Sequence, residues 1–352
     1  MKKSIVPIVM VFIMTICSGP AALENAQAAD PVLYVFNWSE YMPDRVLSDF
    51  QKESGIRVIY STYDSNEAMF AKISLLKGNE YDLVFPSTYF VHRMRKENLL
   101  QPLDKTQLPN LKNLDPKLLN KEYDPENTFS VPYLWGSTAI GYNTEMVAPE
   151  NIKSWNDLWN PAYKGKVLLS NDLRDVFGVS LKLLGYSVND TDPAHIKAAY
   201  GKLRELLPNV RLFASDSPKQ PFLNREVSIG MIWNGEMYMA AQEEPVFRYA
   251  YPQEGAMLWM DNMVIPKGAR NAGHAHTFIN YLLRPEVAKS ISEEIGYASP
   301  NLAAIALMAP EVRNNPTVYP GEEIMAKGEF QTDVGEAILL YQKYWEKLKT
   351  GQ

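Results

Sequence analysis

Strand-like and helix-like segments alternate along this chain, and the alternation recurs in two separate stretches. Val32-Leu33-Tyr34-Val35-Phe36 is an unbroken apolar run, as a strand covered on both faces requires. A helix pattern follows, with Pro43 near its first turn, Val46, Leu47 and Phe50 as apolar positions and Gly55 as a stop. Arg57–Tyr60 reads as a strand, Glu67–Leu76 as a helix and Tyr81–Phe85 as a strand ending at Pro86. Such alternation calls for a mainly parallel sheet flanked by helices. It resumes with a strand at Val167–Leu169, helices at Val176–Leu184 and Ala194–Leu207 and a strand at Val227–Trp233. Between the two units, Phe129–Trp135 reads as an extended crossing, and Met257–Ile265 as the return. The expected fold class is therefore α/β with two units, and two crossings would make a hinge.

The first 28 residues have a different character. Met1-Lys2-Lys3 is basic, Ile5 to Cys17 is an apolar run of 13 residues, Gly19-Pro20 breaks it, and Ala26-Gln27-Ala28 offers a small-x-small cleavage site. That order predicts a signal peptide cleaved near Ala28, since the run is too short for a membrane span. The rival reading is a lipid anchor on Cys17, but Ile16 stands where such signals want a small residue. Cys17 is the only cysteine, so the mature chain has neither a disulfide framework nor a cysteine metal site. Its length suggests two domains rather than one core. Loss of Lys2, Lys3 and Glu24 moves the net charge from -6 to about -7. That balance argues against nucleic acid, which needs a basic face.

Ligands of open parallel sheets collect beyond the carboxyl ends of the strands. The residues there are Asn37-Trp38-Ser39-Glu40-Tyr41, then Pro86-Ser87-Thr88-Tyr89, then Ser170 to Asp175, then Trp233-Asn234-Gly235-Glu236. The return crossing adds Trp259-Met260-Asp261. An aromatic recurs beside a carboxylate, which suits a flexible polycation. Each buried ammonium needs a charged partner, since an unpaired ion costs several kcal/mol. The methylenes between ammoniums need flat apolar walls, and Trp or Tyr supply these with about 0.5–2 kcal/mol of cation–π attraction. Taken singly, each group has a plainer reading. Trp38 or Trp259 can be a packing residue, Asp172 can cap the following helix, and Glu40 and Asp261 can be surface charges.

Enzymatic alternatives have little to stand on. The chain lacks G-x-S-x-G, G-x-x-x-x-G-K-[ST], G-x-G-x-x-G and H-E-x-x-H. His274 and His276 form an H-x-H on what reads as a surface helix, where residues two apart do not share a face. A glycosidase can use two carboxylates, but no spacing here specifies one. No cofactor and no metal are expected.

Longer motifs add a resemblance. NWSEYMP (37–43), YDLVFPSTYFVHRMRKE (81–97), SVPYLWGSTAIGYN (130–143), GMIWNGE (230–236), LWMDNMVIP (258–266), IGYASPNLAA (295–304) and GEFQTDVG (328–335) resemble the periplasmic spermidine/putrescine-binding proteins of polyamine importers driven by ATP. The resemblance implies a two-lobed periplasmic-binding-protein fold with the ligand clamped between lobes. Lobe 1 would comprise residues 30–135 and 260–305, and lobe 2 residues 136–259 and 306–352. It implies Trp38, Ser39, Glu40 and Tyr41 as a first cluster, Ser87 and Tyr89 as a second, and Asp172 with Asp175 as a carboxylate pair. Trp233 and Trp259 would be walls and Asp261 a further ammonium partner, with Tyr297 and Gln331 completing the set. Ser39 stands where the spermidine-binding pattern has Thr, and Asp175 where it has Glu, which bears on the polyamine preferred. The implied protein is a periplasmic monomer that is not an enzyme and hands polyamine to the permease subunits of an ABC importer. A periplasmic sensor signalling through a membrane receptor is the alternative. A binding protein for thiamine or ferric iron, or a secreted hydrolase, stands further off.

Overall fold

Among the described residues, ten strands form one mixed sheet in the order β2-β1-β3-β9-β4-β7-β5-β6, with β10 on β9 and β8 on β4. They are β1 (Val32–Trp38), β2 (Arg57–Tyr63), β3 (Leu83–Val84), β4 (Ser130–Asn143), β5 (Val167–Leu169), β6 (Val210–Phe213), β7 (Ile229–Trp233), β8 (Phe247–Ala250), β9 (Met257–Val264) and β10 (Glu329–Phe330). The computed structural model describes residues 30–77 and 79–351; the expected signal peptide, its cleavage site and Cys17 lie outside the described residues. Within the described residues, no helix is long and apolar enough to cross a membrane.

The sheet has two parallel ends. At one, β1 pairs in parallel with both β2 and β3; at the other, β5 pairs in parallel with β6 and β7. The crossing strands β4 and β9 run antiparallel to each other in the middle, and join the ends by antiparallel pairing with β7 and β3 respectively. The expected crossings are thus present, but as neighbours in one sheet. Pairing of β4 with β9 shifts register between Pro132 and Leu134. Pro132 has no N–H for the ladder, and such a bulge re-aims the side chains beside it. Here it sets Leu134 opposite Asp261.

The helices have local causes. The first is α1 (Asp44–Ser54), which stops at Gly55 in the left-handed conformation at φ 71°, where a residue without Cβ is at ease. Next, α2 (Asn66–Leu76) starts where Ser65 accepts a hydrogen bond from the Ala68 N–H, and α3 (Thr88–Lys96) follows β3. In the second unit, α4 (Leu173–Leu183) is capped by Asp172, and α5 (Pro193–Leu206) by Asp192 with Pro193 in its first turn.

Two large cores lie on either side of the crossing strands. One gathers side chains from Leu33 through Leu134 and from Trp259 through Tyr297. The other gathers side chains from Ala139 through Met257 and from Val334 through Leu348. Phe50 typifies the first: it is 1% exposed and meets the Phe278 ring edge-on at 4.6 Å. Burying one such side chain contributes about 1.5–3 kcal/mol. A smaller cluster places Ala304, Met308, Val312 and Val318 against Tyr238 and Ala288. The helix Ala272–Leu282 corrects the reading of His274 and His276. It is not a surface helix, because His276 is 4% exposed and its Nε2 accepts a hydrogen bond from the Asp104 N–H.

Candidate functional site

One cavity between the two cores is lined by Trp38, Ser39, Tyr41, Asn66, Ser87, Tyr89, Asp172, Asp175, Trp233, Trp259, Asp261, Tyr297 and Gln331. Twelve of the thirteen residues expected from sequence therefore face a common space. Trp38 ends β1, Asp172 follows β5 and Trp233 ends β7, so strand ends from both units meet there.

The aromatic walls are fixed in place. Trp38 Nε1 donates to the Phe85 carbonyl at 3.0 Å, and its ring meets that of Trp233 edge-on at 5.8 Å. Trp233 Nε1 donates to Asp175 Oδ2 at 2.9 Å. Opposite, the Tyr297 ring touches those of Trp259 and Tyr41 at 5.4 and 5.1 Å. Two glycines make this packing possible. A Cβ at Gly136 would lie 2.6 Å from the Trp259 ring, and one at Gly235 would lie 2.5 Å from the Tyr297 ring. Trp259 Nε1 is buried with no hydrogen-bond partner among the described residues.

Three carboxylates stand among these rings, each at most 6% exposed. Asp172 caps α4, its Oδ1 accepting from the Arg174 and Asp175 N–H groups at 2.8 and 3.0 Å. The capping role and a place in the cavity are thus held by one side chain. Asp175, one turn on, accepts from Thr138 Oγ1 and Trp233 Nε1 at 2.9 Å each and from Gln331 Nε2 at 2.8 Å. Those three donors span β4, β7 and the segment after β10, so the shorter Asp side chain is held from several elements. Asp261 accepts from Ser87 Oγ at 2.6 Å. None of the three takes part in an ion pair of 4.0 Å or less with a Lys or Arg among the described residues.

Burial sets the protonation of this group. It pushes Asp175 up to about 7, helped by the charge of Asp172 and opposed by the hydrogen bonds from Trp233, Thr138 and Gln331. Burial likewise raises Asp261 to about 7 against the hydrogen bond from Ser87, and raises Asp172. The buried guanidinium of Arg174 makes no ion pair with these carboxylates, although its charge opposes the rise at Asp172. It donates to the carbonyls of Thr332 and Val188 and to Asn189 Oδ1, and lies 5.2 Å from the Tyr89 ring.

Glu40 and Asn66 depart from expectation. Glu40 adopts φ 50° and turns away from the cavity, where its Oε2 accepts from Lys219 Nζ at 2.5 Å and Ser217 Oγ at 3.1 Å. Ser39, beside it, faces the cavity and donates to Asp216 Oδ1 at 2.5 Å. Asn66 joins the cavity without having been expected there. It is 1% exposed, and its Nδ2 donates to Ser87 Oγ and Tyr89 Oη at 3.0 Å each. It lies just past the end of β2, so the strand-end rule applied to that strand points to it.

Comparison with known proteins follows the same line. The family model described as bacterial extracellular solute-binding protein matches residues 45–320. The spermidine/putrescine-binding periplasmic protein of Salmonella typhimurium is 51% identical over 340 residues, covering 96% of this chain and 98% of its own. That of Escherichia coli K12 is 52% identical over 320 residues, covering 91% and 92%. Among solved structures, a Listeria monocytogenes chain described as a spermidine/putrescine ABC transporter superposes with a TM-score of 0.88 at 38% identity, over 92% of this chain and all of the other. This chain belongs to the bacterial extracellular solute-binding protein family, with the two-lobed α/β fold of periplasmic binding proteins.

Proposed function

We propose that the chain binds a linear polyamine of the spermidine/putrescine type in this cavity, in the periplasm, and delivers it to the permease subunits of an ABC importer. One observation carries the reading. Asp172, Asp175 and Asp261 are buried between aromatic walls with no lysine or arginine paired to them among the described residues. Buried anions left so are costly, and a ligand that brings ammoniums removes the cost. Each charged hydrogen bond then contributes on the order of 1.5–3 kcal/mol. Two or three of these with methylene packing on Trp233 and Trp259 suffice for micromolar binding, about 8 kcal/mol.

The twelve cavity residues expected from sequence, with Asn66, are the proposed ligand contacts. The proposed lobes are residues 30–135 with 260–305 and residues 136–259 with 306–352, supported by the two large cores. Catalysis has no comparable support, because each cavity carboxylate is tied to donors rather than aligned with a nucleophile. The Salmonella and Escherichia relatives are named as periplasmic binding proteins, and nothing in those names favours the sensor alternative.

Thermal unfolding tests the reading. A ligand at about 100 times its dissociation constant adds roughly 2.7 kcal/mol. With about 2.1 cal/mol/K of unfolding entropy per residue, that raises the melting temperature by about 4 °C. Millimolar spermidine or putrescine is expected to give such a rise at pH 8. A rise with an amino acid or a sugar, and none with any polyamine, would refute the assignment.

A further inference from the structure

Lys219 is a buried cation outside the cavity lining, paired with a residue whose two chain neighbours line it. Its side chain is only 9% exposed and its Nζ lies 2.5 Å from Glu40 Oε2. Its backbone N–H donates to Glu236 Oε2 at 3.4 Å, and Glu236 is 2% exposed. This cluster adjoins the cavity on two sides. Glu40 sits between the cavity residues Ser39 and Tyr41. Glu236 lies one residue beyond Gly235, against which the Tyr297 ring is packed. The Tyr297 phenol is pushed up by burial and then by the charge of Glu236, with Glu40 also contributing.

We propose that Lys219 acts as an end-stop for the ligand, its ammonium holding the carboxylate that a longer polyamine would otherwise reach and so favouring short chains. The inference rests on the polyamine reading of the cavity. The physical reason is simple. An ammonium of the ligand arriving beyond Ser39 and Tyr297 would meet a like charge already paired, and like charges in a poorly hydrated site repel strongly. A diamine spanning Asp261 and the Asp172–Asp175 pair has a carboxylate for each of its charges within the lining, whereas a tetraamine must place further charges along or beyond that span. Lys219 also spares Glu40 an unpaired charge, and the Ser39–Asp216 and Glu40–Ser217 hydrogen bonds tie the same loop to the cavity residue Ser39.

Competition calorimetry on the full-length mature chain decides this, with putrescine, spermidine and spermine as probes. Lys219→Ala is expected to raise the affinity for spermine relative to putrescine at least tenfold, and Lys219→Met, which keeps the side-chain bulk, at least fivefold. Adding Glu40→Gln to the alanine variant should return the ratio to within about twofold of wild type, because the freed carboxylate is what the extra ammonium uses. If polyamines bind but the spermine-to-putrescine ratio stays within twofold of wild type in both single variants, Lys219 is not an end-stop and only this inference falls. If the wild-type chain binds none of the three, the polyamine reading falls and this one with it. Should the alanine variant fail to fold, the methionine variant answers the question by itself.

Discussion

Asp261→Asn is expected to weaken polyamine binding at least tenfold. The side chain sits on a crossing strand, 4% exposed, with Ser87 as its hydroxyl donor. Asparagine keeps the size and one acceptor oxygen but removes the charge that meets an ammonium. A hydrogen bond between charged partners contributes about 1.5–3 kcal/mol, which is roughly 10- to 150-fold in affinity. Glu236→Gln is the matched control. Glu236 is as buried as Asp261 and lies close to Trp233 in sequence, yet it does not line the cavity. Its loss should change putrescine affinity by less than about threefold. Calorimetric titration of both variants checks the pair, and equal losses would mean that the ligand binds elsewhere.

Acidification should weaken binding as much as any single substitution. Burial raises Asp175 and Asp261 to about 7, so both carry protons for part of the time at neutral pH. An ammonium needs the ionised carboxylate, hence binding must expel those protons. One unit below its pKa, each such group costs about tenfold in affinity. Between pH 8 and pH 6 the dissociation constant should therefore rise by about 10- to 100-fold, the lower figure applying if one carboxylate of the neighbouring Asp172–Asp175 pair stays ionised. Stability of the free chain should move the other way. A carboxyl whose pKa is raised on folding stabilises the folded chain most below its unfolded pKa, and that contribution is lost as pH rises through about 7. The ligand-free melting temperature should thus fall from these groups as pH rises from 6 to 8, while the increment caused by polyamine grows. An affinity flat across that range would show the carboxylates to be ionised throughout.

What the sequence reveals depends on how local each feature is. The strands β1 and β5 and the helices α2, α4 and α5 are legible because their apolar runs and caps are local, as with Asp192-Pro193 before α5. By contrast β4 extends to Asn143, well past the expected crossing at Trp135, because its second half is defined by pairing with β7 and β8. The edge strands β6, β8 and β10 have four, four and two residues, too short for any periodicity to register. The pairing of β4 with β9 joins residues more than a hundred positions apart, which no local pattern encodes.

The site divides in the same way. Trp38, Ser87, Asp172 and Trp233 follow from the rule that ligands gather at strand ends. Tyr297 and Gln331 lie in irregular segments after a helix and after a two-residue strand, and only family resemblance points to them. Glu40 sits in the right stretch of sequence, but its positive φ turns it towards Lys219. Sequence position alone does not encode that choice.

The central claim is that buried carboxylates without cationic partners receive the ligand's ammoniums. Calorimetry at pH 7 in two buffers of different ionisation enthalpy measures it directly, because the buffer dependence counts protons released on binding. With Asp175 and Asp261 each near half-protonated at that pH, spermidine or putrescine should bind with micromolar or tighter affinity and release about one proton. Polyamine binding without proton release, or binding of an amino acid or sugar in place of any polyamine, would contradict the account.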